Sequence, residues 1–436
     1  MVMLKKLVAR IRGKLETAYL IISNKYVPQW FYRLCWPVRL FARKPWIGRL
    51  RKKETIKVLF ICQTPAMWKA DSLYRAMLKH ARFEPEIYIV PPAACKTKAE
   101  RGRQLSTLRN FFDKKGYHYV EWINDEGIAV SSRLPREYDI LIYPQPWPYS
   151  VPKVVDFNRH TDRWFICSEY SFHLGIQNWA YNKWYQNVAL VDCYENDTTW
   201  KHSCKEKYNR GMNSVVTGLP FMDEFSRTEY KSPWKPQPTP VKKIIWAPHW
   251  TIQENISSLP SYSNFLIMAE YMLQFAQKTE GKLQFVFKPH PWLRLRLYKY
   301  AGWGQERTDA YYAAWENGKN TQLEEGDYVD LFMTSDAMIH DSCSFCCEYM
   351  LTGNPVLFMA KNEERQTSLF NKMGYDAFYA QYIGKTLEDI CVFIENNVLG
   401  EEDPMKKRRE EVVEKYLTPP RGLSAAENII NAILGA

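Results

Sequence analysis

The sequence has no long apolar run, and its absence argues against a membrane-spanning helix. No stretch of 18 apolar residues occurs among its 436 residues, whereas a spanning helix needs about 20. The first residues also lack an unbroken apolar segment followed by a small-residue cleavage site, so we expect no signal peptide. The composition, 46% hydrophobic and 25% charged, is that of a globular protein with enough material for two domains.

The cysteines follow no repeated spacing, which argues against a disulfide framework and favours reduced thiols in a cytosolic setting. Three of them, Cys343, Cys346 and Cys347, are close in sequence, but no second Cys/His pair stands at zinc spacing, so buried thiols are favoured over a metal site. We therefore expect these three cysteines to lie in a core and not to bind a metal. The ten cysteines are Cys35, Cys62, Cys95, Cys167, Cys193, Cys204, Cys343, Cys346, Cys347 and Cys391.

Acidic residues are nearly absent from residues 1–53. This segment holds 14 Lys and Arg residues and the single acid Glu16, a net charge of +13, whereas the remaining residues carry 45 basic and 47 acidic side chains, a net charge of −2. The overall charge of +11 therefore comes from one N-terminal arm. A body of ordinary charge does not indicate a nucleic-acid-binding domain.

Aromatic residues alternate with the basic ones in this arm. Trp and Tyr favour the headgroup depth of a bilayer and Lys and Arg meet anionic lipid, so the arm predicts peripheral binding to the cytoplasmic face of the cell membrane. The alternatives are an arm packed on the body or a platform for single-stranded nucleic acid. The body has no RNA-binding signature, which favours the membrane. The aromatic residues are Tyr19, Tyr26, Trp30, Phe31, Tyr32, Trp36, Phe41 and Trp46.

Short apolar runs alternate with amphipathic stretches in two blocks, 54–225 and 242–436. A Pro-rich and charged stretch, 226–241, is the best candidate for a linker between them. This alternation predicts two Rossmann-like, doubly wound α/β domains with a cleft between them, where ligands lie beyond the carboxyl ends of the strands. Strands are predicted at 56–62, 86–91, 138–144, 163–170, 242–247, 283–288, 337–340 and 355–359, and helices at 71–81, 262–279, 344–352 and 422–436.

Histidines stand at the ends of two predicted strands of the second block. His249 follows the strand at 242–247. Lys288 is the last residue of the strand at 283–288, and His290 follows it. Two prolines bracket His290, so neither a helix nor a strand can continue there and the imidazole is displayed on a stiff turn. Taken alone, such a histidine is more often a solvated turn residue than a catalytic one.

A hydroxyl-rich turn, Asp-Ser-Cys-Ser at 341–344, follows a third strand of this block. It leads into a helix that Gly353 ends as a natural cap. Free N–H groups, the helix dipole and two hydroxyls at this point suit a diphosphate. An ordinary helix N-cap explains the same residues, because Ser and Asp are preferred there in any case.

One histidine of the first block also follows a predicted strand. His173 lies in the segment Ser171–Gly175, directly after the strand at 163–170. By itself it is better explained as a buried, hydrogen-bonded histidine. Its interest comes from the order in which it occurs with the segments described above.

In that order the segments resemble the CDP-glycerol glycerophosphotransferases, the teichoic-acid primases and polymerases, from about Thr55 to the end of the chain. The stretch Tyr328–Met359 carries the specific likeness. The shorter segments similar to family elements are Ser171–Gly175, Val216–Pro220 with Asp223, Ala247–Trp250, Lys288–Pro291 and the helix from Ser424. The departures are His249 and His340 where the family has threonine, Cys343 within the hydroxyl turn, Leu174 between the histidine and the glycine, and Arg421 where the family often has an acid.

The resemblance implies the GT-B fold and transfer of an alditol phosphate, preferably glycerol phosphate, from a CDP-alditol to a hydroxyl of a lipid-linked or capsular polysaccharide, with release of CMP. No carboxylate cluster in the sequence is typical of a metal site, so we expect catalysis without an obligatory metal and without a cofactor. The resemblance also implies that His173 is the base and that His290 and Lys288 stabilise the diphosphate. Ser342 and Ser344 would hold phosphate oxygens, with Asp341 near the alditol. The residues expected to bind the donor are Lys288, Arg294, Asp341, Ser342, Ser344 and His249.

Two other functions remain open from the sequence. A GT-B glycosyltransferase that uses a nucleotide sugar would share the same cleft. A non-catalytic protein that binds surface glycans would use the histidine and serine segments only as structure. The residues do not distinguish glycerol from ribitol, a primase from a polymerase, or one acceptor from another.

Overall fold

The computed structural model describes residues 45–143, 151–156, 160, 163–176, 181–253, 261–343 and 345–435. Most of the predicted arm, residues 1–44, therefore lies outside the described residues. Residues 45–52 are helical, and within them Leu50 is buried and Trp46 packs against the same hydrophobic core. The predicted arm, 1–53, is thus too long, because its last part belongs to the folded body.

The described residues form parallel strands separated by helices. The strands are β1 (Ile56–Cys62), β2 (Phe83–Ile89), β3 (Tyr119–Val120), β4 (Ile140–Tyr143), β5 (Trp164–Ser168), β6 (Val191–Tyr194), β7 (Ser214–Val216), β8 (Lys242–Ala247), β9 (Leu283–Phe287), β10 (Thr321–Leu323), β11 (Ala337–His340), β12 (Val356–Met359) and β13 (Tyr382–Gly384). The α-helices are α1 (Asp71–Lys79), α2 (Lys98–Lys115), α3 (Trp184–Val188), α4 (Asp197–Glu206), α5 (Phe265–Lys278), α6 (Leu293–Tyr298), α7 (Gly304–Asn317), α8 (Val329–Met333), α9 (Phe345–Glu348), α10 (Glu363–Thr367), α11 (Lys372–Phe378), α12 (Leu387–Phe393), α13 (Lys406–Val412) and α14 (Ala425–Leu434). Within the described ranges, none of the helices combines the length and the apolarity that a membrane crossing requires.

The chain divides into two compact units. The first comprises the described residues of Met1–Tyr170, Gln177–Asp223 and Pro419–Ala436, and the second those of Ser171–Ile176 and Glu224–Thr418. Each unit is built on one parallel sheet, so the predicted pair of Rossmann-like domains is confirmed.

The cysteines of the described residues are all free thiols.

The first unit has a seven-stranded sheet in the order β3-β2-β1-β4-β5-β6-β7. β1 is the apolar run IKVLFIC, in which all residues except Lys57 are fully or nearly fully enclosed. A strand that is apolar on both faces must be covered by helices on both sides of the sheet, as in doubly wound folds. The strand order reverses between β1 and β4, the kind of point beyond which such sheets bind ligands.

The terminal helix α14 belongs to the first unit. The sequence predicts it as part of the second domain, 242–436, and this prediction is wrong. Ile429 and Ile433 on the apolar face of α14 lie in the core of the first unit. The carboxylate of Asp223 accepts hydrogen bonds from the backbone N–H groups of Ala425 and Ala426, at 2.8 and 3.0 Å. Asp223 thus satisfies N–H groups that the first turn of a helix leaves open, which gives a structural role to one of the segments that carry the family resemblance.

The second unit has a six-stranded sheet in the order β10-β9-β8-β11-β12-β13, and all its strand pairs are parallel. β9, β8 and β11 are therefore neighbours. Trp246 pairs with Phe287 on one side, and Ala247 pairs with His340 on the other. The residues that follow these three strands consequently emerge side by side at one edge of the sheet.

The stretch predicted as a linker packs on the second unit. The side chain of Trp234 is buried. Gln322 donates from its side chain to the carbonyl of Pro233 at 2.9 Å, and Gln284 donates to the carbonyl of Lys235 at 2.9 Å. Residues 233–235 are therefore a fixed part of that unit, because polar side chains of β9 and β10 take up their backbone groups.

Candidate functional site

Three of the sequence-predicted site segments meet at the carboxyl edge of the second sheet. The backbone N–H of His290 donates to the carbonyl of Pro248 at 3.1 Å, and the N–H of Lys288 donates to the carbonyl of Trp246 at 2.8 Å. These bonds continue the pairing of β8 with β9 beyond the ends of the strands. The ring centroids of His249 and His290 consequently lie 5.2 Å apart.

Asp341 joins the third segment to the other two. One of its carboxylate oxygens accepts the N–H of His249 and the other accepts the N–H of Asn264, each at 2.6 Å. The residue is buried, and burial raises the pKa of its carboxyl to about 7, although the two backbone bonds act in the opposite direction. Asp341 therefore positions the turn after β8 and the residue before α5. Its predicted place beside the alditol stays a prediction.

His290 presents one defined hydrogen-bond donor. Burial lowers the pKa of its imidazole to about 4, so the ring is neutral at pH 7. Its Nδ1 accepts the backbone N–H of Trp292 at 3.1 Å. A neutral imidazole whose Nδ1 accepts carries its proton on Nε2, and this Nε2–H is the group that can donate to an anionic oxygen.

His249 is the more enclosed of the two histidines. Burial, followed by the proximity of His290, lowers the pKa of its imidazole well below the usual value. Its Nδ1 lies 2.7 Å from the hydroxyl of Thr251. His249 therefore supports the ring of His290 with a second neutral imidazole, so the pair adds no like-charge repulsion at neutral pH.

Lys288 places a cation at the end of β9. The residue is buried, its Nζ donates to the carbonyl of Gly326 at 2.8 Å, and it lies 5.9 Å from the centre of the Tyr328 ring. A cation in a water-poor site interacts with an anion more strongly than one in bulk water does. Lys288 is therefore suited to binding a diphosphate. No pattern in the sequence indicates that Tyr328 lies beside it.

Ser342 is held in place by His340. The Nδ1 of His340 lies 2.9 Å from the carbonyl oxygen and 3.3 Å from the backbone nitrogen of Ser342, and its Nε2 lies 2.7 Å from the side-chain oxygen of Gln381. The amide nitrogen of Gln381 donates to the carbonyl of Ala377, which turns the Gln381 oxygen toward the histidine. Burial lowers the pKa of His340 to about 4. His340 thus orients the hydroxyl turn, while Ser344 lies outside the described residues.

Arg294 is engaged by acidic neighbours. Its guanidinium donates to Asp309 at 2.7 Å and to the hydroxyl of Tyr298 at 3.0 Å, and it lies 3.8 Å from Glu325. These contacts connect α6 with α7 and with the loop after β10. The structure thus gives Arg294 a bracing role, and its contact with the donor stays a prediction.

His173 was assigned from the sequence to the N-terminal domain, but its segment groups with the second unit. Its backbone carbonyl accepts a hydrogen bond from the side chain of Asn371. The N–H of Asn371 donates to Leu174 at 2.8 Å, and the N–H of Ile176 donates to Leu369 at 3.0 Å. The segment is therefore paired with residues 369–371, which no local pattern in the sequence indicates.

Gly374 in α11 allows this pairing, and replacing it with alanine should displace the His173 segment. A Cβ at Gly374 would lie 2.5 Å from the carbonyl oxygen of Leu174. Alanine favours a helix over glycine by about 1 kcal/mol, but a backbone clash of this size forces a shift. We expect the turnover number of Gly374→Ala to fall roughly tenfold to a hundredfold, because misplacement by about 1 Å has that effect on catalytic groups.

Steady-state kinetics and urea unfolding of Gly374→Ala and Gly102→Ala test this expectation. Gly102 also lies within a helix, α2, but a Cβ there would have no neighbour within 4 Å. Gly102→Ala should keep normal turnover and gain up to about 1 kcal/mol in the free energy of unfolding. Normal turnover of Gly374→Ala would show that the position of the His173 segment does not matter for the reaction.

The described residues contain no group of three or more His, Cys, Asp and Glu side chains arranged to hold a metal ion. At the carboxyl edge of the second sheet, the groups suited to an anion are the cation of Lys288 and the Nε2–H of His290. This arrangement can bind an anion with several oxygens. A preorganised set of donors of this kind stabilises negative charge that develops during a transfer reaction.

Comparison with known proteins supports a family and a fold. The family model for CDP-Glycerol:Poly(glycerophosphate) glycerophosphotransferase matches residues 182–435, more than half of the chain. A variant of the wall teichoic acid polymerase TagF is similar in structure, with a TM-score of 0.55 and 13% identity over 93% of this chain and 97% of that chain. TagF itself gives a TM-score of 0.53 and 12% identity over 94% and 97%.

The UDP-GlcNAc 2-epimerase from Neisseria meningitidis, bound to UDP-GlcNAc, gives a TM-score of 0.51 and 12% identity over 87% of this chain and all of that chain. At such identities these likenesses show the fold alone, which is the GT-B type expected from the sequence. No curated protein is similar enough in sequence to count as a match.

Proposed function

The chain belongs to the CDP-glycerol:poly(glycerophosphate) glycerophosphotransferase family, and from this premise we propose that it transfers glycerol phosphate from CDP-glycerol to a hydroxyl of a lipid-linked or capsular polysaccharide and releases CMP. The observation that carries the proposal is the meeting of Lys288, His290 and Ser342 at one sheet edge within the matched residues. A cation, an Nε2–H donor and a hydroxyl turn together suit a diphosphate.

In the proposed reaction the acceptor hydroxyl attacks the β-phosphorus of the donor. A new oxygen–phosphorus bond forms, the bond from that phosphorus to the bridging oxygen breaks, and CMP leaves with the bonding electron pair. His173 takes the proton of the acceptor hydroxyl as general base. Lys288 and the Nε2–H of His290 stabilise the negative charge on the diphosphate, and because both are already fixed in place, little reorganisation is needed during the reaction.

The remaining predicted residues have supporting roles in this proposal. Ser342 and Ser344 hold phosphate oxygens. Arg294 contacts the donor from the start of α6. Asp341 and His249 hold the turns after β8, β9 and β11 in place.

A trial of donors tests the reaction class. The protein is incubated with CDP-glycerol, CDP-ribitol, UDP-GlcNAc and UDP-glucose in turn, each with a polysaccharide acceptor, and the release of CMP, UMP or UDP is followed. We expect CMP from CDP-glycerol, together with phosphorus in the polymer. Release of UDP alone would identify the protein as a glycosyltransferase, and no release from any donor would favour the glycan-binding alternative.

We further propose that residues 1–44 anchor the protein peripherally to the cytoplasmic face of the cell membrane. They hold ten Lys and Arg residues against the single acid Glu16. Each basic residue near an anionic surface contributes about 1 kcal/mol to binding, and the interfacial aromatics add a part that salt does not screen. Residues 45–53 are excluded from this anchor because Trp46 and Leu50 pack into the body.

Deleting residues 1–44 should weaken binding to anionic vesicles at least about tenfold, because several basic residues are lost at once. Turnover of a small soluble acceptor should stay close to that of the full chain. Vesicle sedimentation and CMP release, measured on the same preparations, check both expectations. High salt should release the full chain only in part, and undiminished sedimentation of the shortened chain would place the anchor elsewhere.

A further inference from the structure

The helix α6, beside His290, exposes apolar and basic side chains together on its solvent side. Leu293 and Leu297 face the core and are fully buried. The opposite side, which we call the outer face of α6, consists of Trp292, Leu295, Arg296 and Lys299, at the i, i+3, i+4 and i+7 spacing that shares one side of a helix. Trp292 is 56% exposed and Leu295 is 58% exposed.

Within the described part of the chain, the cations of this face have no acidic partner. Among the described residues, neither Arg296 nor Lys299 forms an ion pair, and the guanidinium of Arg296 lies 5.1 Å from the centre of the Trp250 ring. Two arginines nearby differ: Arg294 pairs with Asp309 and Arg307 pairs with Glu270. The positive charge of the outer face therefore remains available to an external anion.

We propose that the outer face of α6 is a membrane-contact surface that binds an anionic lipid bilayer. An exposed tryptophan at headgroup depth, a leucine that reaches the acyl boundary and two cations at the phosphates are the components of interfacial binding. Leu295 distinguishes a bilayer from an anionic polymer, since a chain of phosphates and polyols offers an exposed leucine no apolar partner. This surface is separate in sequence from the anchor proposed for residues 1–44.

The position of this surface gives it a consequence for the site. The N–H of Trp292 is bonded to Nδ1 of His290, and the two rings lie 6.2 Å apart. A bilayer in contact with the outer face therefore lies next to the carboxyl edge of the second sheet. Such contact would present the site to an acceptor held in the membrane, but the contact itself does not depend on the proposed reaction.

The test uses the full chain with the double substitution Leu295→Ser and Lys299→Glu, two exposed positions that do not touch His290 in the contacts described above. The matched control is Ile267→Ser with Lys278→Glu on α5, where Ile267 is 70% exposed and Lys278 is also exposed. Binding is measured by sedimentation with phosphatidylcholine vesicles, with and without phosphatidylglycerol. Each basic residue near an anionic surface strengthens binding roughly fivefold, so the α6 variant should bind phosphatidylglycerol vesicles at least about fivefold more weakly than the control.

A photo-crosslinking amino acid at position 295 or 267 gives a second measurement. We expect label on lipid from position 295 and little from position 267. Equal vesicle binding by the α6 variant and the control, without lipid label at position 295, would overturn the proposal. Label on soluble poly(glycerol phosphate) and not on lipid would also overturn it, in favour of a polymer-binding surface. CMP release from CDP-glycerol with a soluble acceptor should be unchanged in the α6 variant, so failure of this proposal is distinguishable from failure of the proposed reaction.

Discussion

Replacing His290 with alanine should lower the turnover number at least about a hundredfold, which is the usual effect of removing one preorganised donor to developing charge. Burial holds the pKa of His290 near 4, and the N–H of Trp292 occupies Nδ1. The imidazole is therefore neutral at pH 7 and donates through Nε2. Because the ring is only partly buried on a turn, its removal should leave the fold intact, as thermal unfolding can verify.

Two further variants separate this role from others. His290→Gln places an amide N–H near the position of Nε2 and should recover part of the lost rate, since a donor is restored without an ionisable ring. His118 is a matched control, because its side chain is 78% exposed and belongs to the first unit; His118→Ala should turn over normally. If His290→Ala kept near-normal turnover, His290 would have no part in the reaction.

Replacing Lys207 with methionine should lower the free energy of unfolding by about 3–5 kcal/mol, the typical cost of leaving one partner of a buried ion pair alone. The side chains of Lys207 and Asp192 are 0% and 2% exposed, and their charged atoms lie 2.8 Å apart. Lys207 also donates to Asn213 and Ser214. It therefore joins the end of α4 to β6 and β7.

Urea unfolding of three variants measures this effect. Lys98→Met is the matched control, because its pair with Glu126 is exposed on both sides, at 62% and 53%, and such pairs contribute at most about 1 kcal/mol. Adding Asp192→Asn to Lys207→Met should recover part of the loss, since a neutral amide needs no cation. A loss from Lys207→Met as small as that from Lys98→Met would contradict the account of a buried ion pair.

The central strands of both sheets could be predicted from the sequence because they are nearly continuous apolar runs. The predictions at 56–62, 242–247 and 337–340 coincide with β1, β8 and β11. A strand buried on both faces leaves this pattern whatever its neighbours are. The strands β3, β6 and β10, with two, four and three residues, are too short for any period to appear, and the sequence does not predict them.

The partners of two segments could not be predicted. The amphipathic pattern of α14 was recognised, but amphipathicity shows that a face is buried and not which core buries it. The position of His173 depends on hydrogen bonds with residues 369–371, almost 200 residues later in the chain. Such pairing is set by the tertiary fold and leaves no local signal.

The candidate site was predictable in its positions more than in its contacts. His249, His290 and Asp341 were identified because polar residues after strands of a parallel sheet collect at one edge. Their contacts were not foreseen: Asp341 accepts two backbone N–H groups, and His340 orients Ser342 through Gln381. These bonds depend on strand order and on side-chain packing, which a single sequence does not contain.

The structure of the protein in complex with CDP-glycerol tests the central claim most directly, since the claim is that the carboxyl edge of the second sheet holds the donor diphosphate. We predict that oxygens of the β-phosphate accept hydrogen bonds from Nε2 of His290 and Nζ of Lys288, with Ser342 beside them. A diphosphate bound away from these residues, for example at the carboxyl edge of the first sheet, would contradict the account.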